Sequence, residues 1–245
     1  MEQAQSSQHV SVDEQSKQKI DKKLDGLPVA GGTSMGIHES QSLFYEQFVG
    51  HHENFWKYNF DLLKKHSQKQ FEDVELEDFL RAINASKPSL IRIEADELTY
   101  PLHIMIRYEI EKELFNGDLE VKDLPRVWNE KYKEYLGVTP ENDGEGVLQD
   151  VHWSGGSFGY FPSYALGYMY AAQFKIAMLK DLPNFDELLL KGEFSPILEW
   201  LTDNVHKHGK MKKPLEIIQD TTGEGLNAKY LADYLSEKYS KLYNL

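Results

Sequence analysis

The chain has no cysteine in its 245 residues. That excludes a disulfide framework, a thiolate metal centre and a thiol nucleophile. Any metal centre must draw on His, Asp and Glu, which suits zinc, cobalt or manganese better than iron–sulfur chemistry. Positive charge is scarce too: 27 Lys and Arg face 40 Asp and Glu, a net charge of −13. This excess of acid argues against nucleic acid or an anionic membrane as partner. No apolar run approaches the ~18 residues of a membrane-spanning helix. The first residues are polar and lack the apolar centre of a signal peptide, so a cytoplasmic location is the default expectation.

Strand signals are few, and Ser89–Ile93 is the best of them. Helical patterns dominate. Residues 40–66 read as one long helix or two broken near Gly50, and 74–85 as a shorter one. Residues 94–116 carry an apolar stripe (Leu98, Leu102, Met105, Ile106, Ile110) that stops at Gly117. Pro101 either kinks this helix or moves its start later. Leu124–Leu136 follows, then a glycine-rich loop. Residues 157–180 are apolar on nearly every face, as in a buried helix. The C-terminus continues in short helices. The reading is an all-α, single-domain chain over 20–245. Residues 1–19, rich in Gln, Ser and Lys, form a mobile tail in this reading.

Three clusters could carry chemistry. The first is His38-Glu39-Ser40-Gln41 after a glycine-rich loop. Glu39 there either complements the dipole of the helix it opens or ligates a metal. The second is Ile91–Tyr100, where Arg92 lies among apolar residues. Arg92 either pairs with Glu94 or Asp96, or offers its guanidinium fork to a ligand carboxylate. The third is Gln149-Asp150-Val151-His152-Trp153, followed by Tyr160 and Tyr164. Asp150 can hold a histidine in one tautomer, and His152 and either tyrosine can donate to a developing oxyanion. Alternatively these groups are a structural polar network and core aromatics. Gly155-Gly156-Ser157 lacks the Lys-Ser/Thr of a phosphate loop. His51, His52, His66, His206 and His208 read as surface residues.

Together the segments HESQS (38–42), IRIEADELTY (91–100), GVLQDVHWSGGSFGYFPSYALGYMYAAQ (146–173) and TTGEGLNAKYLADYL (221–235) resemble the carboxypeptidase Taq family of metallocarboxypeptidases. The resemblance covers about 20–245. It implies a helical fold with a deep groove, a homodimer, and one zinc or cobalt ion bound by a His-Glu-x-x-His helix and by Glu39, with His38 as a supporting neighbour. It makes Arg92 the recogniser of a peptide's C-terminal carboxylate, with Gln149 and Asp150 beside it. It gives His152 with Tyr160 or Tyr164 the task of stabilising the tetrahedral intermediate.

The chain departs from the family in one place. No His-Glu-x-x-His occurs in it; the corresponding register has His9, Val10 and Asp13. Val10 stands where the general base belongs and cannot move a proton. The expectation is the C-terminal half of such an enzyme, truncated or split, inactive alone and needing an N-terminal partner. The alternative is a non-catalytic peptide-binding or degenerate form. Residues 157–174 are expected to lose their cover and drive self-association.

Overall fold

The computed structural model describes residues 19–67 and 69–245. The expected tail, except Lys19, therefore lies outside the described residues, as do His9, Val10 and Asp13. The described chain is helical throughout and contains no strand. Ser89–Ile93 is instead an extended lead into a 3-10 turn at Arg92–Glu94.

Helix α1 (Met35–Leu43) runs into a π-helical turn, Phe44–Gly50, and the chain restarts as α2 (Glu53–His66). The break falls at Gly50, as the pattern suggests. An acidic run, Glu72-Asp73-Val74-Glu75-Leu76-Glu77-Asp78, leads into α3 (Leu76–Ile83), with Glu77 and Asp78 in the first turn, where they complement the dipole. Helix α4 (Tyr100–Asn116) begins with Pro101 in its first turn, so the later start is the correct reading. Proline costs nothing there, because first-turn N–H groups have no intrahelical partner. Gly117 ends α4 in the left-handed conformation that glycine adopts without strain. Helix α5 (Leu124–Leu136) folds back on α4.

The long helix is α7 (Pro162–Asp181), preceded by a single turn, α6 (Val151–Ser154). It starts at Pro162 rather than at 157, because the glycines of 155–159 carry the chain around a turn. After it come α8 (Phe185–Lys191), α9 (Ser195–Asn204), α10 (Pro214–Thr222) and α11 (Lys229–Tyr243).

Two apolar cores result. The larger centres on α7, where Tyr168, Ala171, Phe174 and Met178 pack against Ile37, Phe44 and Phe48, and against residues of α8 to α11. Full burial of each large side chain there contributes ~1.5–3 kcal/mol. The apolar part of 157–174 is thus buried or half-buried within this chain, apart from exposed Phe158. The smaller core lies between α4 and α5, where Trp128 stacks on Tyr132 with Ile106 and Ile110. Where α4 meets the start of α7, the two cores adjoin.

Candidate active site

Glu39 is held by α1. Ser34 caps this helix by accepting the Ile37 N–H at 3.2 Å. Glu39 therefore sits in the second turn, not at the entrance, and its dipole-complementing reading loses its geometric basis. Helix α1 lies against α7 at Gly167, where an added Cβ would come within 2.7 Å of Glu39 Cβ. The Glu39 charge acts on the hydroxyls of Tyr100 and Tyr164. His38 turns the other way and packs its imidazole on the backbone of Gly32.

Arg92 pairs with neither Glu94 nor Asp96. Asp96 accepts hydrogen bonds from the Lys87, Leu98 and Thr99 N–H groups and from the Ser86 and Thr99 hydroxyls. Burial alone would raise its carboxyl pKa, but these donors outweigh burial and hold it below the usual range. Arg92 donates instead to Tyr100 OH at 3.0 Å. Its guanidinium lies 4.9 Å from the Tyr164 ring centre, 5.7 Å from Phe161 and 5.8 Å from Tyr100. Aromatic faces hold a cation without neutralising it. Arg92 thus keeps its charge and part of its fork for a ligand.

His152 stands on α6 with its Nε2 3.0 Å from Tyr164 OH. Its ring packs on Phe161 at 4.5 Å and on Tyr160 at 5.6 Å. Burial, with Arg92 and Arg107 nearby, holds its pKa below the ordinary value, so the imidazole is neutral at pH 7. The same burial raises the Tyr164 phenol, which keeps its proton. A neutral His–Tyr pair bonded to each other keeps one of its two protons to donate, which suits it to an oxygen that gains negative charge.

The remaining predicted residues have partners within the chain. Asp150 accepts from Arg107 Nε at 3.1 Å and from the Trp153 N–H at 2.9 Å, so it caps α6. It orients His152 through that cap and not through a direct bond to the imidazole. Gln149 is exposed and donates to the Gly144 carbonyl at 2.5 Å. Of the surface histidines, His66 is exposed, but His206 is buried and bonded to Gln41. His52 caps α2 and faces Asp186 at 3.4 Å.

Two residues on α4 matter that the motifs did not flag. Arg107, almost fully buried, also donates to the His103 carbonyl and to Tyr132 OH, each at 3.0 Å. Tyr132 OH also shares a hydrogen bond with His103 Nδ1, 3.1 Å away. Glu111 accepts from Trp153 Nε1 at 2.6 Å and from the Gly159 N–H at 3.0 Å. Arg107 and Glu111, four residues apart on one face, clamp the 150–159 turn that carries His152. The available signal was their position beside buried Ile106 and Ile110: two opposite charges inside an apolar stripe.

The site thus brings Glu39, Arg92, His152, Tyr160 and Tyr164 to one region from α1, a 3-10 turn, α6 and the start of α7. Among the described residues no three His, Asp or Glu side chains group to hold a metal ion. Glu39 offers one oxygen donor, and the described residues do not complete a metal centre by themselves.

The sequence profile of the carboxypeptidase Taq (M32) metallopeptidases matches residues 15–239. The chain belongs to that family. Carboxypeptidase 1 of Bacillus subtilis is 64% identical over 229 residues, which are 94% of this chain and 46% of that protein. Thermostable carboxypeptidase 1 of Thermus thermophilus is 44% identical over 93% of this chain and 44% of its own length. Among solved structures, the M32 carboxypeptidase of Deinococcus radiodurans superposes with a TM-score of 0.92 at 38% identity, over 95% of this chain and 47% of that one. The Pyrococcus furiosus carboxypeptidase gives 0.90 at 36% identity, over 93% and 46%. The chain spans about half the length of the curated relatives it matches.

Proposed function

We propose that this chain carries the substrate-gripping and oxyanion-facing part of a metallocarboxypeptidase, an enzyme that removes amino acids from peptide C-termini. The observation that carries the reading is Arg92. Its guanidinium is fixed by three aromatic rings and one phenol, without a carboxylate partner in the structure's ion pairs. In this role it takes the C-terminal carboxylate of a peptide bidentately. His152, with Tyr164 or Tyr160, then faces the scissile carbonyl and donates to its oxygen as charge develops. Glu39 is a metal ligand, and zinc or cobalt suits its oxygen and the histidines that the family adds. Such an ion supplies Lewis-acid chemistry when bound.

The general base and the histidine ligands are not among the residues of this chain, since no His-Glu-x-x-His occurs in it. We therefore expect the pure chain to release no C-terminal amino acids. A polypeptide bearing that motif, the equivalent of the N-terminal half, is the partner it calls for; a homodimer is the further expectation. The deciding experiment compares binding of a peptide with a free C-terminus against its C-terminal amide. The free acid should bind at least tenfold tighter, and Arg92→Gln should erase the difference. Equal binding of acid and amide by the unaltered chain would sink the proposal. Chelator-sensitive release of amino acids by the chain alone would overturn its inactive status.

A further inference from the structure

A cavity of about 30 Å³ lies behind α1, on the far side of the helix from Gly167. Its walls are mostly apolar: Ile20, Ile37, Val205 and Ile217. Four polar side chains also line it, Thr33, His38, Gln41 and His206. His206 is 94% buried, and among the described residues no protein group meets its Nδ1.

Donor accounting fixes what that nitrogen is. The Ser40 hydroxyl donates to the Ile37 carbonyl at 2.6 Å, which uses its only proton. Toward Gln41 it can then only accept, so the amide NH2 of Gln41 points at Ser40, at 2.8 Å. The Gln41 carbonyl oxygen is left facing His206 Nε2 at 2.7 Å. An oxygen there must accept, so the His206 proton sits on Nε2. Nδ1 is consequently a bare lone pair in an apolar wall. Leaving such an acceptor unpaired is unfavourable, because a buried lone pair without a donor has lost its water.

We infer that this cavity is a binding site for one water molecule, which donates to His206 Nδ1 and to Thr33 Oγ1. The space open to a water-sized sphere, about 30 Å³, is room enough for a water, and a buried water needs at least two polar partners. Thr33 supplies the second. Its hydroxyl proton goes to the Lys212 carbonyl at 2.7 Å, and its lone pairs remain open to a donor. A cation does not suit the site, because the wall carries no negative charge. The water closes a chain that runs from the 31–34 loop through His206 and Gln41 to Ser40, the residue next to Glu39. Its consequence is to fix the rotation of α1 about its axis. Only that consequence rests on the proposed role of Glu39; the site itself does not.

The test needs no enzymatic activity. Long-range proton–nitrogen spectra of the 15N-labelled chain should show His206 protonated on Nε2, with Nδ1 shifted as a hydrogen-bonded acceptor. A high-resolution crystal structure should show one water within hydrogen-bond distance of Nδ1 and Thr33 Oγ1. Thr33→Val should remove the water and move the Nδ1 resonance to that of an unbonded nitrogen, and Thr33→Ser should leave both unchanged. Ser40→Ala should free the Gln41 amide and give a mixture of His206 tautomers. A proton on Nδ1 in the unaltered chain, a dry cavity, or a Thr33→Val spectrum identical to the parent would each overturn the inference.

Discussion

Gly167 on α7 faces Glu39 on α1 so closely that a methyl group at 167 would lie 2.7 Å from Glu39 Cβ and 3.1 Å from its backbone carbon. Because backbone is involved, no side-chain rotation relieves the contact. Gly167→Ala should gain ~1 kcal/mol of helix propensity and lose ~1–3 kcal/mol to overpacking. The expected net result is destabilisation with Glu39 displaced. Gly36→Ala is the control, since its methyl would meet Leu166 and Tyr170 only at 3.5 Å. Urea denaturation should give Gly36→Ala at or above parental stability and Gly167→Ala below it.

Glu111 accepts two N–H groups with its two oxygens, one from Trp153 and one from Gly159. Glutamine in its place has one acceptor and one NH2, so one donor is left facing another donor. Glu111→Gln should cost ~1.5–3 kcal/mol, the range for hydrogen bonds to charged groups. It should also loosen the turn that carries His152. Trp153 fluorescence should shift to longer wavelength, and limited proteolysis should begin within 154–159. An unchanged spectrum and cleavage pattern would remove Glu111 from the clamp.

Lys175 projects from α7 onto the face of Phe185, and no hydrogen-bond acceptor reaches its Nζ. Burial lowers its pKa to about 7, opposed by the Asp186 charge. The folded pKa lies below the unfolded one, so the unfolded chain binds more protons between those values. Stability therefore rises with pH through that window, and the penalty is full below about 7. Lys175→Met should stabilise the fold by about 1–4 kcal/mol at pH 6. That advantage should shrink steadily from pH 7 to 10 in melting experiments.

His103 should dominate part of the acid limb. Burial, together with Arg107 and Arg92, lowers its pKa to about 3, and Asp96 opposes them. Its folded pKa is below its unfolded one, so its contribution is intact above pH 6.5 and is lost as pH falls toward 3. His103→Gln should lower stability at pH 7, because Tyr132 loses its imidazole partner. Its stability should then fall less steeply than the parent's between pH 6 and 4. Parallel pH profiles would show that His103 does not titrate in this window.

Much of this was readable in the residues. The apolar period gave the helices, and the Gly50 break and the late start at Pro101 follow from backbone chemistry alone. The four motif segments named the family, and the structure brings Glu39, Arg92, His152, Tyr160 and Tyr164 together. What escaped were partnerships across long stretches of chain. Arg92 looked like a partner for Asp96 because they are neighbours in sequence, yet Asp96 is already satisfied by a turn and Arg92 by aromatic rings. His206 looked exposed because Lys207 and His208 flank it, but a 3-10 turn points it inward at Gln41. Arg107 and Glu111 stayed invisible because a charge in an apolar stripe reveals its meaning only when its partner, Asp150 or Trp153, is placed beside it.

The packing of α1 on α7 and the His206–Gln41 bond also govern when the site can exist. Gln41 and His206 are 165 positions apart in the sequence. Contacts of such separation form late, because the loop-closure entropy must be met before they give any return. On a ribosome, α1 emerges long before α7, and Glu39 has no Gly167 to rest on until most of the chain has been made. The α4–α5 pair is local and can form early. Refolding should therefore show Trp128 acquiring its native environment in a fast phase, with the candidate site assembled only in a slower one.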